Sequence, residues 1–197
     1  MALLKALLWP IQLWNDFVLG IGRWIAIVCI ALMVVCILLQ VFFRYVLNNA
    51  LPWPDEAARF FMLWMTGVIA PLAYRQGGFV SIDLVLQVIN ERLAAVISLI
   101  LLAVAGTVLY WAMTIGYSEV TGFGGQFNTA SLFIPVSLDF SEWFRVPRSW
   151  AFMSLFVGVV LLFIVNLELI LRSLITLLGE AGTLRPIAPQ GDDIIVE

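Results

Sequence analysis

Charged side chains inside apolar sequence are the first candidates for chemistry in this chain, because a charge in lipid is costly and usually serves a function. Glu168 is the only acidic residue in the fourth of four long apolar runs, and such a carboxylate could carry a proton in a small exporter. Arg172 follows four residues later, in the order that favours a Glu–Arg pair on one helix face. Both interpretations stay open, and the spacing favours the structural helix pair.

A second charged cluster surrounds the turn between the first and second apolar runs. Arg44 ends the first run, while Asp55 and Glu56 fall in the first turn of the second, where carboxylates suit the helix dipole. A tight helical hairpin would bring Arg44 to the depth of Glu56, and Arg59 would share Asp55 or Glu56. We expect a clasp that closes this hairpin, and contact with a partner subunit is the alternative.

The long link between the third and fourth runs, residues 119–148, carries many aromatic residues among Gly, Ser and Asn. These aromatics could dip into the membrane interface, or they could form a platform for a partner protein with charged residues at its rim. The residues that could contact a periplasmic partner are Trp53, Phe123, Phe127, Asp139, Glu142, Trp143, Phe144, Arg145 and Arg148.

The composition indicates which secondary-structure elements position these residues. Of the 197 residues, 63% are hydrophobic and 12% are charged, against roughly 25% charged in soluble domains. Lipid is therefore the expected solvent, and the four runs approach or exceed the length of about 20 residues that a spanning helix needs. We expect an all-α integral membrane protein: four transmembrane helices preceded by an interfacial amphipathic helix, in a single membrane domain.

The expected bounds follow the apolar runs. The interfacial helix should cover about 3–22, because its apolar residues recur at helical spacing; Asp16 and the missing cleavage site argue against a signal peptide. Lys and Arg weakly favour both termini in the cytoplasm. The other segments are expected at about 24–47, 55–75, 92–118 and 149–172 for the spans, 119–148 for a periplasmic link and 179–197 for a cytoplasmic tail.

Several function classes are disfavoured by what the sequence lacks. There is no histidine, so the usual haem-binding anchors, zinc peptidases and His-based triads are excluded. A membrane anchor for an electron-transfer enzyme is therefore a weak alternative. The net charge of −3 gives no basic surface for nucleic acid. Without a phosphate loop, metal cluster or nucleophile constellation, we expect no enzyme activity and no cofactor in this chain.

Two ordered motifs across the first hairpin carry a resemblance to a known family. They read Gln40-Val-Phe-Phe-Arg-Tyr-Val-Leu-Asn and Pro52-Trp-Pro-Asp-Glu-Ala-Ala-Arg, and Ala73-Tyr-Arg, Gly77-Gly and Val80-x-Ile-Asp follow them. In these motifs the chain resembles the small membrane subunit (DctQ-like) of the tripartite ATP-independent periplasmic (TRAP) transporters. Where members often have His followed two residues later by Arg, this chain has Phe79 and Ser81, and its link before the fourth span is long.

The resemblance implies a role in a bacterial inner-membrane importer of organic acids. In that family a periplasmic solute-binding protein captures the solute, and a large membrane subunit carries it with sodium. The small subunit would brace the scaffold of the large one in the bilayer, and docking of the binding protein is a second expected role. On this reading the solute and sodium sites lie outside this chain, and the link does not identify the solute.

Overall fold

The computed structural model describes residues 2–77, 91–135, 143–178 and 187. In chain order its elements are α1 (Ala2–Tyr45), α2 (Trp53–Arg75), α3 (Glu91–Thr121), a 3-10 helix (Phe123–Gln126), β1 (Asn128–Pro135), β2 (Trp143–Pro147) and α4 (Ser149–Leu177). All four α-helices are long and apolar enough to cross a membrane. The expectation of an all-helical membrane protein with four spans is confirmed.

The N-terminal segment differs from its expected form, because α1 is one continuous helix of 44 residues. A separate interfacial helix at 3–22 followed by a span from 24 was expected, but the glycines near position 22 do not interrupt the helix. A glycine inside a helix costs only about 1 kcal/mol, which packing can offset. At about 1.5 Å per residue α1 is roughly 66 Å long, about twice the hydrocarbon thickness.

One face of α1 packs on the protein along almost its whole length. The buried positions follow an alternating spacing of three and four residues, which is the heptad pattern of a helix seam. They include Leu8, Asn15, Leu19, Ala26, Cys29 and Cys36. The opposite face is apolar and exposed, with Trp9 at 69% and Trp24 at 71%. The first half of α1 is therefore part of the helix assembly and also presents aromatic residues outwards.

Helices α2 and α4 cross closely at small residues. A Cβ atom on Gly67 would lie 2.4 Å from the Ser154 carbonyl oxygen, and one on Gly158 would lie 2.6 Å from the Gly67 carbonyl oxygen. Small residues let helix backbones approach in this way in membranes. Helix α1 packs on α2, and α3 packs on α4, so the α2–α4 pair is the centre of the assembly.

The turn between α1 and α2 is short and contains a left-handed residue. Asn48 has φ 50°, a conformation that asparagine tolerates better than most residues. The amide of Asn49 donates to the carbonyl of Phe43 (3.0 Å) and closes the end of α1. This geometry gives a physical reason for asparagine at the end of the first motif.

The link between the third and fourth spans contains a β-hairpin that the sequence analysis did not anticipate. Strands β1 and β2 are antiparallel, with Phe133 opposite Arg145 and Asn128 opposite Pro147. Thr129 Oγ1 donates to the Val146 carbonyl (2.7 Å) at the buried face of the hairpin. The hairpin lies beside the first residues of α2 and the first residues of α4. It is therefore at the opposite end of the molecule from Arg75, the last residue of α2.

We predict that Gly67→Ala destabilises the protein, whereas the matched change Gly20→Ala does not. The added methyl group would overlap the Ser154 backbone in the first case, while nothing lies within 4 Å of the corresponding position at Gly20. Overpacking of this kind costs about 1–3 kcal/mol. Thermal unfolding of the purified variants, followed by circular dichroism in detergent, measures the difference; equal midpoints for both variants would contradict the close crossing.

Candidate functional site

The most distinctive polar feature is the carboxylate of Glu168, which is buried to 0% exposure in α4. Its Oε1 accepts hydrogen bonds from Arg75 NH2 (2.9 Å) and from Arg172 Nε (3.1 Å). Its Oε2 accepts one from Asn15 Nδ2 (2.6 Å). Three helices, α1, α2 and α4, therefore each supply at least one side chain to this carboxylate.

Arg75 connects this carboxylate to a second one. Its NH1 donates to Asp16 Oδ1 on α1 (2.6 Å), and the side chain is only 8% exposed. Its Nε lies 2.9 Å from Glu168 Oε2 but lacks the alignment of a hydrogen bond, so that contact is an electrostatic one. We call Asn15, Asp16, Arg75, Glu168 and Arg172 the buried charge cluster.

The buried charge cluster lies one membrane thickness from the hairpin end of the molecule. At about 1.5 Å of rise per residue, Arg75 lies roughly 33 Å along α2 from Trp53, and Glu168 roughly 29 Å along α4 from Ser149. Both lengths are close to the hydrocarbon thickness of about 30 Å. The cluster is therefore at the opposite membrane boundary, where its outer members can meet water or lipid headgroups.

A second polar contact ties α3 to the same end of the assembly. Tyr74, next to Arg75, donates from its hydroxyl to Asn166 Oδ1 (2.7 Å). Asn166 is fully buried, and its Nδ2 donates to the Leu102 carbonyl of α3 (3.1 Å). Because an unsatisfied polar group in lipid costs several kcal/mol, this chain of bonds strongly favours one arrangement of α2, α3 and α4.

The chemistry open to Glu168 is limited by its partners. Two arginines and an amide already donate to its oxygens, so any further group that bound there would have to displace one of these hydrogen bonds. The two acids and two arginines of the cluster also balance in charge. Among the described residues no group of three or more His, Cys, Asp or Glu could hold a metal ion. The arrangement is suited to holding helices together.

The predicted clasp at the other end of the molecule is only partly present. Arg59 NH2 pairs with Asp55 Oδ2 (2.8 Å) on the exposed surface of α2. The expected contact between Arg44 and Glu56 is wrong: among the described residues, Arg44 contacts the ring of Tyr45, 5.9 Å from its centroid. The long side chain of an exposed arginine at the membrane boundary lets the guanidinium reach water, so it needs no carboxylate partner.

Glu56 instead anchors the β-hairpin. Its Oε1 accepts from the backbone amide of Ala130 (3.1 Å), and its Oε2 accepts from that of Ser131 (2.6 Å). The Ser131 hydroxyl donates to the same carboxylate and lies 3.0 Å from the carbonyl of Pro52. A carboxylate that accepts several backbone N–H groups fixes a loop firmly, so Glu56 joins the first hairpin to the long link.

The aromatic residues of the link lie where a partner could reach them. Phe123 is 77% exposed and its ring packs edge-on against Phe127, with centroids 5.1 Å apart. Phe144 lies beside Trp150 (6.2 Å), and the Arg145 guanidinium covers the Phe133 ring (4.8 Å).

The remaining predicted residues of this set are placed less fully. Trp53 is 40% exposed at the start of α2, and Arg148 is exposed at the start of α4. For Trp143 the structure describes the backbone, which pairs with Pro135. Asp139 and Glu142 lie outside the described residues, as do Phe79 and Ser81.

Sequence reasoning identified the Glu168–Arg172 spacing but missed Asn15, Asp16 and Arg75 as partners of the same group. Asp16 served there only as an argument against a signal peptide, and Arg75 only as part of the Ala73-Tyr-Arg motif. Asn15 does fall in the heptad seam of α1 between Leu8 and Leu19. A polar residue in an otherwise apolar seam was the signal that could have found it.

Comparison with known proteins gives one family. The family model described as the DctQ component of the tripartite ATP-independent periplasmic transporters matches residues 33–176, which is more than half of the chain. No curated protein and no solved structure matches the chain significantly. The matched region includes Arg75, Glu168 and Arg172, and the segment that carries Asn15 and Asp16 precedes it.

We predict that Glu168→Gln destabilises the helix assembly far more than Asp55→Asn. The first change leaves Arg75 and Arg172 without their shared carboxylate in a buried site, which costs about 3–5 kcal/mol. The second removes one partner of an exposed pair on a single helix, which is worth about 1 kcal/mol or less. Thermal unfolding in detergent compares them, and similar losses of stability would show that the buried cluster is not structural.

We predict that Glu56→Ala loosens the β-hairpin without unfolding the spans. The amides of Ala130 and Ser131 would lose their acceptor, so hydrogen exchange should speed up in residues 128–135 and 143–147. Arg59→Ala, one turn further along α2, is the matched control, because its exposed side chain pairs with Asp55. Unchanged exchange in the Glu56 variant would contradict the anchoring role.

Proposed function

The chain belongs to the DctQ family, a component of the tripartite ATP-independent periplasmic transporters, and on that basis we propose that it braces the large transport subunit of a sodium-coupled importer of organic acids. The family is that of a transporter component, and the chain is its small membrane subunit. In the proposal the large subunit moves the solute and the sodium ions, and this chain stays fixed in the bilayer.

The observation that carries this proposal is that both side-chain oxygens of Glu168 already accept hydrogen bonds from other residues of the chain. A carrier needs ionisable groups that change partners during the cycle, with access to the solute from both sides. Here the buried carboxylate is held by three donors from three helices. These hydrogen bonds support a fixed scaffold, because moving any one of the three helices would expose a charged side chain or remove its partner.

The outer faces of α1 and α3 support a role as a packing partner. Both helices are apolar on their free sides, with Leu38 at 63%, Val108 at 61% and Trp111 at 66% exposure. Lipid tails and the surface of another membrane subunit are similarly apolar, so burial of these faces does not by itself favour a protein partner. Association therefore depends on shape and on a few polar contacts. We propose that one of these faces meets the large subunit and that the other meets lipid.

The proposed orientation places both termini in the cytoplasm of a bacterial inner membrane. The β-hairpin end, with its exposed Phe123 and Phe127, would then face the periplasm. Exposed aromatic rings held in the short segment that leads into an anchored hairpin suit a docking platform for the solute-binding protein. Glu56 would keep this platform in place relative to the first two spans.

Two alternative functions stay weaker than this proposal. A small proton-coupled exporter would depend on Glu168, whose oxygens already accept hydrogen bonds from Asn15, Arg75 and Arg172. An anchor for an electron-transfer enzyme would need cofactor ligands, and the chain contains no histidine. An absorption spectrum of the purified protein with a Soret band would favour the anchor over the scaffold.

We predict that sodium-driven uptake into proteoliposomes requires the large subunit and is absent with this chain alone. With the large subunit and the binding protein present, the double change Phe123→Ser and Phe127→Ser should reduce uptake severalfold when the binding protein is limiting, since docking would be weakened. Phe152→Ser with Leu155→Ser is the matched control, because these exposed apolar side chains lie within α4, away from the proposed docking surface and from the outer faces of α1 and α3.

Transport by the chain alone would contradict the scaffold role. Equal uptake by the Phe123/Phe127 variant and the wild type at limiting binding protein would contradict the docking role of the hairpin. Copurification of the large subunit with each variant shows whether assembly is intact.

A further inference from the structure

A cavity of about 350 Å³ opens beside the buried charge cluster, between the first half of α1, the end of α2 and the later part of α4. Its volume falls at the lower end of the range of about 300–1,000 Å³ for small-molecule sites. Apolar walls come from Leu19, Leu72 and Ile187, and the polar walls come from Gln12, Asp16, Arg23, Arg75, Gln76 and Arg172.

The cavity carries an excess of positive charge. Among the described residues, Arg23, Arg75 and Arg172 line it and the acids paired with two of them are Asp16 and Glu168, so three positive and two negative groups leave a net charge of +1. The two acids and the two arginines of the buried charge cluster balance one another in formal charge. The excess therefore belongs to Arg23, an exposed residue for which the structure describes no carboxylate partner.

Two glutamines of the cavity have buried atoms without hydrogen-bond partners among the described residues. These atoms are Gln12 Nε2, a donor, and Gln76 Oε1, an acceptor. A buried polar atom without a partner costs about 1–3 kcal/mol. A ligand that offers acceptor oxygens to Gln12 and Arg23, and a hydroxyl or N–H donor to Gln76, would remove both penalties.

The depth of the cavity limits which ligands reach it. It surrounds the end of α2, roughly one hydrocarbon thickness from the hairpin end of the molecule. Lipid headgroups lie at this depth, and the walls formed by Leu19 and Leu72 continue the apolar surface of the spans. An anion with an apolar tail therefore fits the site better than a small anion from solution.

We propose that this cavity binds the headgroup of an anionic glycerophospholipid. The phosphodiester, with one negative charge, neutralises the net +1 of the site and accepts hydrogen bonds from Arg23 and Gln12. A headgroup hydroxyl donates to Gln76, and the acyl chains lie against the apolar walls. The bound lipid joins α1 to α2 beside the buried charge cluster and adds a lipid-dependent contact to the helix assembly.

The test uses the full chain purified in a mild detergent and analysed by native mass spectrometry. The protein is incubated separately with phosphatidylglycerol, with phosphatidylcholine of the same acyl chains, and with inorganic phosphate. The wild type should retain phosphatidylglycerol in preference to phosphatidylcholine. Arg23→Gln, which removes one charge contact at the membrane surface, and Gln12→Leu, which removes one hydrogen bond, should each reduce that retention roughly fivefold.

Arg44→Gln is the matched control, because Arg44 is an exposed arginine near the other end of α1, and its retention of phosphatidylglycerol should equal that of the wild type. Circular dichroism of each variant checks that the helices are intact. Equal retention of the two lipids, or retention unchanged by both Arg23→Gln and Gln12→Leu, would overturn the proposal. Displacement of phosphatidylglycerol by inorganic phosphate alone would also overturn it, because the ligand would then be a free anion.

Discussion

The carboxyl group of Glu168 has no exposure to solvent, and the positions of three helices follow from the need to keep its hydrogen-bond and charge partners together. An uncompensated charge in this setting costs several kcal/mol, so Arg75 of α2 and Arg172 of α4 must both stay within reach. Asn15 brings the first half of α1 to the same carboxylate. Hydrophobic burial contributes little to association between helices within lipid, so these few polar contacts determine how the helices align.

The rest of the assembly is consistent with that constraint. The close crossing of α2 and α4 at Gly67 and Gly158 sets the distance between the two helices that carry Arg75 and Glu168. Asn166, half a turn before Glu168, attaches α3 through the Leu102 carbonyl. At the opposite membrane boundary Glu56 fixes the β-hairpin to the start of α2. Polar contacts at the two boundaries and close packing between them produce a fixed support, which suits a subunit that braces a moving partner.

The sequence predicted four long apolar helices because long apolar runs have few alternatives in lipid. It also predicted the Glu168–Arg172 and Asp55–Arg59 spacings, since both are local and depend only on helix geometry. The contacts of Glu168 with Asn15 and Arg75 join residues 153 and 93 positions apart, and no local spacing indicates them. The partners of Glu56 were missed for the same reason, because the β-hairpin residues that donate to it lie 74 and 75 positions further along the chain.

The central claim is that Arg75 and Glu168 form a coupled pair that holds α2 to α4, and a double-mutant cycle measures that coupling directly. The free energies of unfolding of Arg75→Gln, Glu168→Gln and the double variant are compared with that of the wild type. If the two side chains are coupled, the double variant loses less stability than the two single losses together, by about 1.5–3 kcal/mol. Additive losses, within about 0.5 kcal/mol, would contradict the coupling.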